Sequence, residues 1–281
     1  MKLLVTGAGG GLGRAFVRWA LQAQAHDVVA FARNELDITD AAAVEDAVAA
    51  VSPDTIINAA AFTKVDACET EPDTAFRANA LGPQHLAVAA HKHGARLLHV
   101  STDYVFDGEK ETAYTEDDVP NPRSEYAKSK LAGEEFVRAV TDRHFIVRTG
   151  WVFGGGTDFL SGATEKLANG QPAGGLVDRW GTPTFVRHLA SRLVPLVETG
   201  RFGTYHLTGP ERTTWFDVLR RVKEIGGFSG ELAGQHAAEL DLPAERARNS
   251  ALVSLYTADL GIEPMPPLDI ALKEFLDERG T

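Results

Sequence analysis

Two residues with types and spacing suited to proton transfer stand in the segment Tyr126-Ala127-Lys128-Ser129-Lys130. Residues four apart lie on one face of an α-helix, so a helix here would bring Lys130 beside Tyr126. An ammonium next to a phenol favours the phenolate and lowers a pKa that is ~10 when unperturbed. Such a tyrosine can give a proton to a carbonyl oxygen near neutral pH. The same spacing is common on solvated helix faces, so the pair needs support from the rest of the chain.

A glycine-rich turn near the N-terminus is typical of a site for the pyrophosphate of a dinucleotide. The segment from Thr6 to Gly13 reads Thr-Gly-Ala-Gly-Gly-Gly-Leu-Gly and follows the apolar run Leu3-Leu4-Val5. A strand, a tight turn and a helix N-terminus place backbone N–H groups and the helix dipole against phosphate oxygens. A nicotinamide cofactor combined with a proton donor indicates the reduction of a carbonyl group.

Short apolar runs and helical segments alternate up to about residue 150, which predicts a parallel sheet covered by helices on both faces. Strands are expected at 3–5, 28–31, 55–57, 96–100 and 145–147, and helices at 41–51, 73–92 and 125–140. The predicted class is therefore α/β, with a doubly wound parallel sheet of the Rossmann type. Such sheets bind ligands at the carboxyl ends of their strands. Gly7, Asn58, Ser101 and Arg148 all follow predicted strands there.

The chain changes character after residue 150, where loops rich in glycine and proline separate the elements. Helices are expected near 186–198, 214–225 and 268–279, and the run 204–207 resembles one more strand. We expect residues 1–150 to form a cofactor-binding domain, to which the chain returns around 181–207. Residues 151–281 would form mainly a smaller, substrate-binding domain. The segment 229–250 is polar and alanine-rich and carries no clear pattern.

The composition of the 281 residues predicts a soluble globular protein without a nucleic-acid partner. Because 28 Lys and Arg face 39 Asp and Glu, the formal charge is −11, and no basic surplus can neutralise phosphates. No apolar run reaches membrane-spanning length, and no signal peptide precedes the first strand. A single cysteine, Cys68, fits a reducing compartment, so a cytoplasmic location is expected. No metal site is indicated, since His91 and His93 would face different ways on a helix.

The end of the second predicted strand bears on the choice of cofactor. An acid at this place would bind the ribose 2′-hydroxyl of NAD(H), but the sequence reads Phe31-Ala32-Arg33-Asn34. Arg33 would suit the 2′-phosphate of NADP(H), or it is an exposed arginine without a ligand. Asp37 could accept a hydrogen bond from an adenine amino group, or it caps the helix that begins near residue 41.

Three further residues have both a functional and a structural interpretation. In Ser101-Thr102-Asp103, Thr102 would donate to a carbonyl oxygen beside Tyr126, although such a run at a strand end is often an ordinary turn. Asn79, inside a predicted helix, would hold part of a proton relay or is a satisfied polar residue of the core. Trp151, after the fifth strand at the edge where ligands bind, would form the wall of a pocket or wedge between the two domains.

Several segments together resemble the extended short-chain dehydrogenase/reductase family, and within it the dTDP-4-dehydrorhamnose reductase family. They extend over nearly the whole chain and comprise 58–66, 101–108, 126–134, 148–154, 181–184, 205–209 and 249–250. The run Ser-Thr-Asp-Tyr-Val-Phe at 101–106 separates this family from nucleotide-sugar epimerases and dehydratases.

The resemblance implies an NADPH-dependent reductase of the C4 keto group of a dTDP-4-keto-6-deoxyhexose, with dTDP-4-dehydrorhamnose as substrate and dTDP-L-rhamnose as product. The implied catalytic residues are Thr102, Tyr126 and Lys130. The residues assigned to the cofactor are Gly7, Gly10, Gly11, Leu12, Arg33, Asp37, Ile38, Ala59, Ala60, Ala61 and Thr63, with Tyr126 and Lys130. Those assigned to the substrate are Thr102, Asp103, Tyr126 and Trp151. NADH as the cofactor and a homodimer stay open, as does Mg²⁺ between subunits, for which no ligands stand out.

The sequence departs from the family pattern near the expected sugar pocket. The departures are Gly150 for a common serine, Asp158 for asparagine, Arg179-Trp180 for glutamine and an aromatic residue, and Ala247 and Arg248 within a further run. They leave open a 4-ketoreductase of another deoxysugar pathway. A noncatalytic NADP-binding regulatory subunit and a nucleotide-sugar epimerase also stay open. The presence of Tyr126 and Lys130 argues against the regulatory subunit.

Overall fold

A computed structural model describes residues 1–280 of the chain. The strands are β1 Lys2–Thr6, β2 Asp27–Phe31, β3 Thr55–Asn58, β4 Arg96–Thr102, β5 His144–Thr149, β6 Val152–Phe153, β7 Ala173–Leu176, β8 Trp180–Gly181, β9 Thr184–Phe185, β10 Gly203–His206, β11 Thr213–Thr214 and β12 Leu232–Gln235. The α-helices are α1 Gly11–Ala23, α2 Ala41–Val51, α3 Val65–Thr70, α4 Pro72–Phe76, α5 Gly82–His93, α6 Glu125–Val140, α7 Phe159–Ala168, α8 Val186–Glu198, α9 Trp215–Gly226 and α10 Leu268–Arg279. None of these helices combines the length and the apolar character needed to span a bilayer.

Six strands form one sheet in the order β10-β5-β4-β3-β1-β2, and every neighbouring pair is parallel. Alternate apolar residues of a strand enter different cores: Leu3 and Val5 pack with α1 and α8, whereas Leu4 packs with α2, α5 and α6. Side chains of period two are thus buried on both faces, as the continuous apolar runs of the sequence require. The predicted doubly wound α/β fold is confirmed.

The chain leaves the sheet after β5 and returns to it through β10. The predicted strand at 204–207 lies one residue earlier, at Gly203–His206, and pairs with Phe145–Arg148 of β5. The helix expected at 186–198 has those bounds and packs on α1. A further apolar core lies away from the sheet, where Phe153, Phe185 and Phe275 pack together.

The helix predicted at 73–92 is instead two helices, α4 and α5, joined by the π-helical turn Arg77–Leu81. Asn79 in this turn exchanges two hydrogen bonds with the backbone of Phe62, at 2.8 and 3.0 Å. It also donates to the Ser129 hydroxyl at 3.0 Å. Asn79 is therefore a buried polar residue whose hydrogen bonds are satisfied. These bonds explain why a residue with a low helix propensity occupies the turn.

The short strands outside the main sheet were not predictable from periodicity, because they have only two to four residues and the four-residue strands are rich in glycine and alanine. The segment 229–250, which carries no sequence pattern, contains β12, and β12 pairs in parallel with β7. Another small pair joins β8 to β11, and this pair lies beside the cleft described below.

Candidate functional site

The glycine-rich turn closes tightly between β1 and α1. Gly7 has a φ of 73°, and a Cβ atom there would lie 2.5 Å from the backbone nitrogen of Ala60, so both conformation and space require glycine. The Gly10 N–H donates to the Gly7 carbonyl at 2.9 Å. No side chain caps α1, so the N–H groups of its first turn remain available to an anion.

Three adjoining cavities form one cleft at the carboxyl ends of the strands. We call them the small cavity (about 180 Å³), the central cavity (about 520 Å³) and the outer cavity (about 460 Å³). Gly10, Ala59 and Ala61 line both the small and the central cavity. Tyr126 and Trp151 line both the central and the outer cavity. A ligand in the cleft can therefore extend from the glycine turn past Tyr126 to the outer cavity.

Every residue that the sequence predicts for the site lies in this cleft. The small cavity is lined by Gly7, Gly10, Arg33, Asp37, Ile38, Ala59, Ala60 and Ala61. The central cavity adds Gly11, Leu12, Thr63, Thr102, Asp103, Tyr126, Lys130 and Trp151. Among residues 1–280, no three His, Cys, Asp or Glu side chains lie close enough together to hold a metal ion.

Asp37 and Arg33 approach each other at the edge of the small cavity. The Arg33 Nε lies 3.9 Å from Asp37 Oδ2, and the arginine side chain is 78% exposed. Asp37 accepts from the Thr39 N–H at 3.0 Å, and this bond, assisted by Arg33, lowers the pKa of its carboxyl. Asp40, not Asp37, caps α2 by accepting from the Ala42 N–H. Asp37 therefore does not cap α2, and its carboxylate lies at the edge of the small cavity.

Tyr126 lies in the first turn of α6, which Ser124 begins by accepting from the Ala127 N–H. Its side chain is buried, and the Tyr104 ring meets it edge-on at 6.2 Å. Burial raises the pKa of Tyr126, while a hydrogen bond with Thr102 acts in the opposite direction. The hydroxyl therefore stays protonated and can donate.

Lys130 follows one turn later and is 1% exposed. Its Nζ donates to the Val100 carbonyl at 2.7 Å. Burial lowers the pKa of Lys130 to about 8, and the nearby Glu134 carboxylate opposes this change. The lowering of the Tyr126 pKa that the Tyr–Lys spacing predicts is wrong for this structure. Burial, which no spacing reveals, governs both groups.

Thr102 and Asp103 end β4 beside Tyr126. The Thr102 hydroxyl donates to Asp103 Oδ1 at 3.0 Å, and Asp103 Oδ2 is buried without a well-aligned hydrogen bond, although the Ser250 hydroxyl lies near the carboxyl. Burial raises the pKa of this carboxyl to about 7. A Cβ atom on Gly150 would lie 2.6 Å from the Asp103 Cγ. The glycine that replaces a common serine at 150 thus leaves room for the carboxyl group.

Trp151 has a φ of 48°, which is unusual for a residue with a side chain. Trp215 stacks on its ring with centroids 4.4 Å apart and an angle of 6° between the planes. A Cβ atom on Gly181 would lie 2.2 Å from Cε2 of the same indole, so the Gly181 backbone also covers a face of it. Trp215 and the Gly181 backbone thus pack against the Trp151 ring, and the rest of the half-buried indole lines the central and outer cavities.

Several residues of the cleft are given no role by the sequence motifs, although Arg179 is among the departures from the family pattern near the expected sugar pocket. Trp215, Arg179 and Arg246 line the outer cavity, although they begin a helix or lie in irregular segments. The Arg246 guanidinium donates to Asp66 of α3 at 2.7 Å and so joins distant parts of the chain. Arg14 of α1 donates to the Gly155 carbonyl at 2.8 Å, which fastens the loop after β6 to the glycine turn.

Comparisons with known proteins agree with this architecture. A family model described as RmlD substrate binding domain matches residues 1–280. The dTDP-4-dehydrorhamnose reductase of Mycobacterium tuberculosis is 39% identical over 273 residues, which are 94% of this chain and 88% of that protein. The crystal structure of a dTDP-4-dehydrorhamnose reductase from Clostridium acetobutylicum covers all of both chains with a TM-score of 0.96 and 34% identity. The Bacillus anthracis dTDP-4-dehydrorhamnose reductase in complex with NADP covers 99% of both chains with a TM-score of 0.95 and 32% identity.

Proposed function

We propose that this chain, which belongs to the RmlD substrate binding domain family, reduces the C4 keto group of a dTDP-4-keto-6-deoxyhexose with NADPH. The observation that carries the proposal is the continuous cleft that joins the glycine turn to the Tyr126 hydroxyl and the outer cavity. The relatives indicate the substrate dTDP-4-dehydrorhamnose, whose reduction gives dTDP-L-rhamnose.

The small and central cavities fit a dinucleotide. The uncapped N-terminus of α1 and the close approach of Gly7 to Ala60 leave space and N–H donors for a pyrophosphate. Asp37 and Arg33 would hold the adenosine half. The NADP complex of the Bacillus anthracis relative supports NADPH as the cofactor. When bound, NADPH supplies the hydride that reduces a carbonyl carbon.

The chain's own residues supply the proton and the orientation. Tyr126, which burial keeps neutral, gives its proton to the C4 oxygen as negative charge develops there. Thr102 would donate to the same oxygen once its hydroxyl, which bonds Asp103 Oδ1 in this structure, turns toward the cavity. Lys130 lines the central cavity, and its amine is bonded to the Val100 carbonyl. The three groups are buried along the wall of the central cavity, so a bound nicotinamide and sugar would shield them from bulk water.

The outer cavity is the proposed site of the nucleotide sugar, with Asp103 and Trp151 as its contacts nearest to Tyr126. Arg179 and Arg246 bring cationic groups to its wall, which suits a pyrophosphate. The cavity meets the central cavity at Tyr126, so a sugar placed there would present its carbonyl to both the donor and the nicotinamide side of the cleft.

The proposal is tested by following NADPH oxidation with a panel of dTDP-4-keto sugars that differ in configuration. We expect the highest kcat/KM with dTDP-4-dehydrorhamnose. A higher value with another sugar would assign the chain to a different deoxysugar pathway. Failure with all of them would favour a regulatory subunit, and nicotinamide absorbance that stays with the purified protein and never exchanges would favour an epimerase.

A further inference from the structure

A row of buried polar side chains crosses the sheet beneath the cleft and ends at Lys130. Thr6 of β1 donates to Asn58 of β3, the Asn58 Nδ2 lies 3.0 Å from Nδ1 of His99 on β4, and the His99 Nε2 lies 3.4 Å from Lys130 Nζ. Thr6, Asn58 and His99 are fully buried. Nothing in the proposed reaction above uses His99.

The orientation of the Asn58 amide follows from its neighbours. Its Oδ1 accepts from the Ala60 backbone N–H at 3.0 Å and from the Thr6 hydroxyl at 2.8 Å. A backbone N–H can only donate, so the atom that faces it must be the oxygen. The NH₂ group therefore points at His99, and His99 Nδ1 must accept.

This orientation determines the tautomer of His99. Burial, together with the charges of Lys130 and Arg138, holds the pKa of His99 well below its usual value, so the ring is neutral. A neutral ring whose Nδ1 accepts carries its proton on Nε2. That N–H faces the Lys130 nitrogen, which can accept it only as a neutral amine.

We propose that His99 is a positioning residue which, fixed by Asn58 with its N–H toward Lys130, makes the Lys130 ammonium release its proton more readily than burial alone would. The charged groups at this pair are Glu134 and Arg138 of α6 and Arg148 of β5, which binds the Glu134 carboxylate through two hydrogen bonds. Glu134 favours the Lys130 ammonium, and Arg138 acts on His99. The Val100 carbonyl accepts from Lys130 in either protonation state. The tautomer of His99 thus decides whether this contact favours the ammonium or the neutral amine of Lys130.

This inference deepens the proposed function, and the kinetic part of the inference rests on that function. A lysine that titrates near neutral pH can pass its proton to Tyr126 after Tyr126 has protonated the sugar oxygen, and then recover a proton from water. The protons balance, since each one delivered to product comes from solvent. Reduction would then weaken as pH rises through the titration of Lys130.

Nuclear magnetic resonance of the whole protein tests the inference without substrate. We expect ¹⁵N spectra of the His99 ring to place the proton on Nε2. We expect the Lys130 ¹³Cε signal, assigned with Lys130→Met, to titrate about one pH unit higher in His99→Gln, because the glutamine can turn its oxygen to the ammonium. The matched control is His93→Gln on the surface, where His93 pairs with Glu45. A proton on Nδ1, or equal Lys130 midpoints in His99→Gln and the parent, would overturn the inference.

Asn58→Asp is a second variant that keeps the ring and the shape of the neighbouring side chain. A carboxylate can only accept, so it would draw the His99 proton to Nδ1 and leave Nε2 to accept from Lys130. We expect the ¹⁵N spectra to show this exchange and the Lys130 midpoint to rise. An unchanged tautomer would contradict the proposed orientation of the Asn58 amide. The added charge alone would not move the His99 proton from one ring nitrogen to the other.

The pH profile of kcat/KM separates this inference from the proposed function. In His99→Gln the basic limb of reduction should move upward with the Lys130 midpoint. If neither protein reduces any dTDP-4-keto sugar, the proposed function fails while the resonance result stands. A basic limb that stays in place although the midpoint moves would overturn the role of Lys130 as a proton source.

Discussion

At the residue scale, burial decides the chemistry of the cleft. Tyr126, Lys130 and Asp103 are all buried away from water, and in each case the loss of hydration stabilises the neutral form relative to the charged form. The tyrosine stays protonated and can donate, the pKa of the lysine falls, and the pKa of the aspartate rises toward neutral pH. Three groups of different type are thus prepared for proton exchange by one physical cause.

The role of Tyr126 is tested by Tyr126→Phe, which removes only the hydroxyl. Because this change removes the proton donor and keeps the shape of the cleft, NADPH affinity should stay the same while kcat falls by ~10² or more. Stopped-flow turnover and a cofactor titration measure the two effects. Tyr256→Phe is the control, since that exposed hydroxyl bonds Asp117 away from the cleft. A Tyr126→Phe enzyme with most of its kcat would disprove the assignment.

Arg33 tests the choice of cofactor. If its guanidinium meets a 2′-phosphate, Arg33→Ala should weaken NADPH binding by ~1–3 kcal/mol, the range for a hydrogen bond to a charged group. NADH binding should hardly change, because NADH lacks that phosphate. Fluorescence titration with both cofactors gives the comparison. Equal losses for the two, or no loss for either, would make Arg33 an ordinary surface residue.

Asp103 links the cleft to the pH dependence of stability. Its pKa is about 7 in the folded protein and has an ordinary value of 3.8. Between these values the folded protein holds a proton that the unfolded chain has lost, so stability falls as pH rises through the window. The free energy of unfolding should drop by about 2–3 kcal/mol more in the parent than in Asp103→Asn between about pH 5 and about pH 8. Urea unfolding of both proteins measures this, and parallel pH curves would contradict it.

At the element scale, the small antiparallel pair of β8 and β11 supports the outer cavity. β8 contributes Gly181, which lies on the Trp151 indole, and β11 leads directly into α9, whose first residue is Trp215. Two strands of two residues each thus hold in place the tryptophan that we propose as a substrate contact. The aromatic contact continues to Phe159 at the start of α7, with ring centroids 5.0 Å apart.

Trp215→Ala tests this support. Without the stacked ring, Trp151 can tilt, so KM for the dTDP-sugar should rise ~3–10-fold, as expected for the loss of one aromatic pair. KM for NADPH should stay the same, because Trp215 lines only the outer cavity among the three. Steady-state kinetics and a thermal melt give the values. Trp19→Ala, which removes a half-buried tryptophan of α1 outside the cleft, should lower Tm alone. Equal behaviour of the two variants would show that Trp215 serves only packing.

At the scale of the whole molecule, few contacts hold the segment 244–246 against α3 across the cleft. Asp66 accepts from the Ala244 N–H at 3.1 Å and from the Arg246 guanidinium at 2.7 Å. These bonds join the two parts of the chain that we propose as domains, residues 1–150 and mainly 151–281. A homodimer and a cytoplasmic location stay predictions.

Asp66→Asn weakens this junction while it keeps an oxygen for the Ala244 N–H. The ion pair is partly exposed, so we expect KM for the dTDP-sugar to rise only ~2–5-fold, with kcat for bound substrate retained. The difference between variant and parent should shrink at high salt, because screening weakens the parent's ion pair. Glu278→Gln breaks the exposed pair with Arg187 outside the cleft and is the control. A salt-independent difference would contradict the electrostatic explanation.

Local patterns in the sequence predicted the fold, and they indicated residues that the structure brings together in one cleft. Continuous apolar runs predicted the strands of the main sheet and its burial on both faces, because successive residues of a strand point to opposite faces. Gly7 and the Tyr126–Lys130 spacing likewise express geometry within one turn, and they marked the cleft. Only the tertiary structure decided the properties that depend on distant neighbours. Burial reversed the expected pKa change of Tyr126, Gly181 and Trp215 packed against the Trp151 ring, and Asn58 fixed the proton of His99. Desolvation and contact between remote segments arise from packing, and no local spacing encodes them.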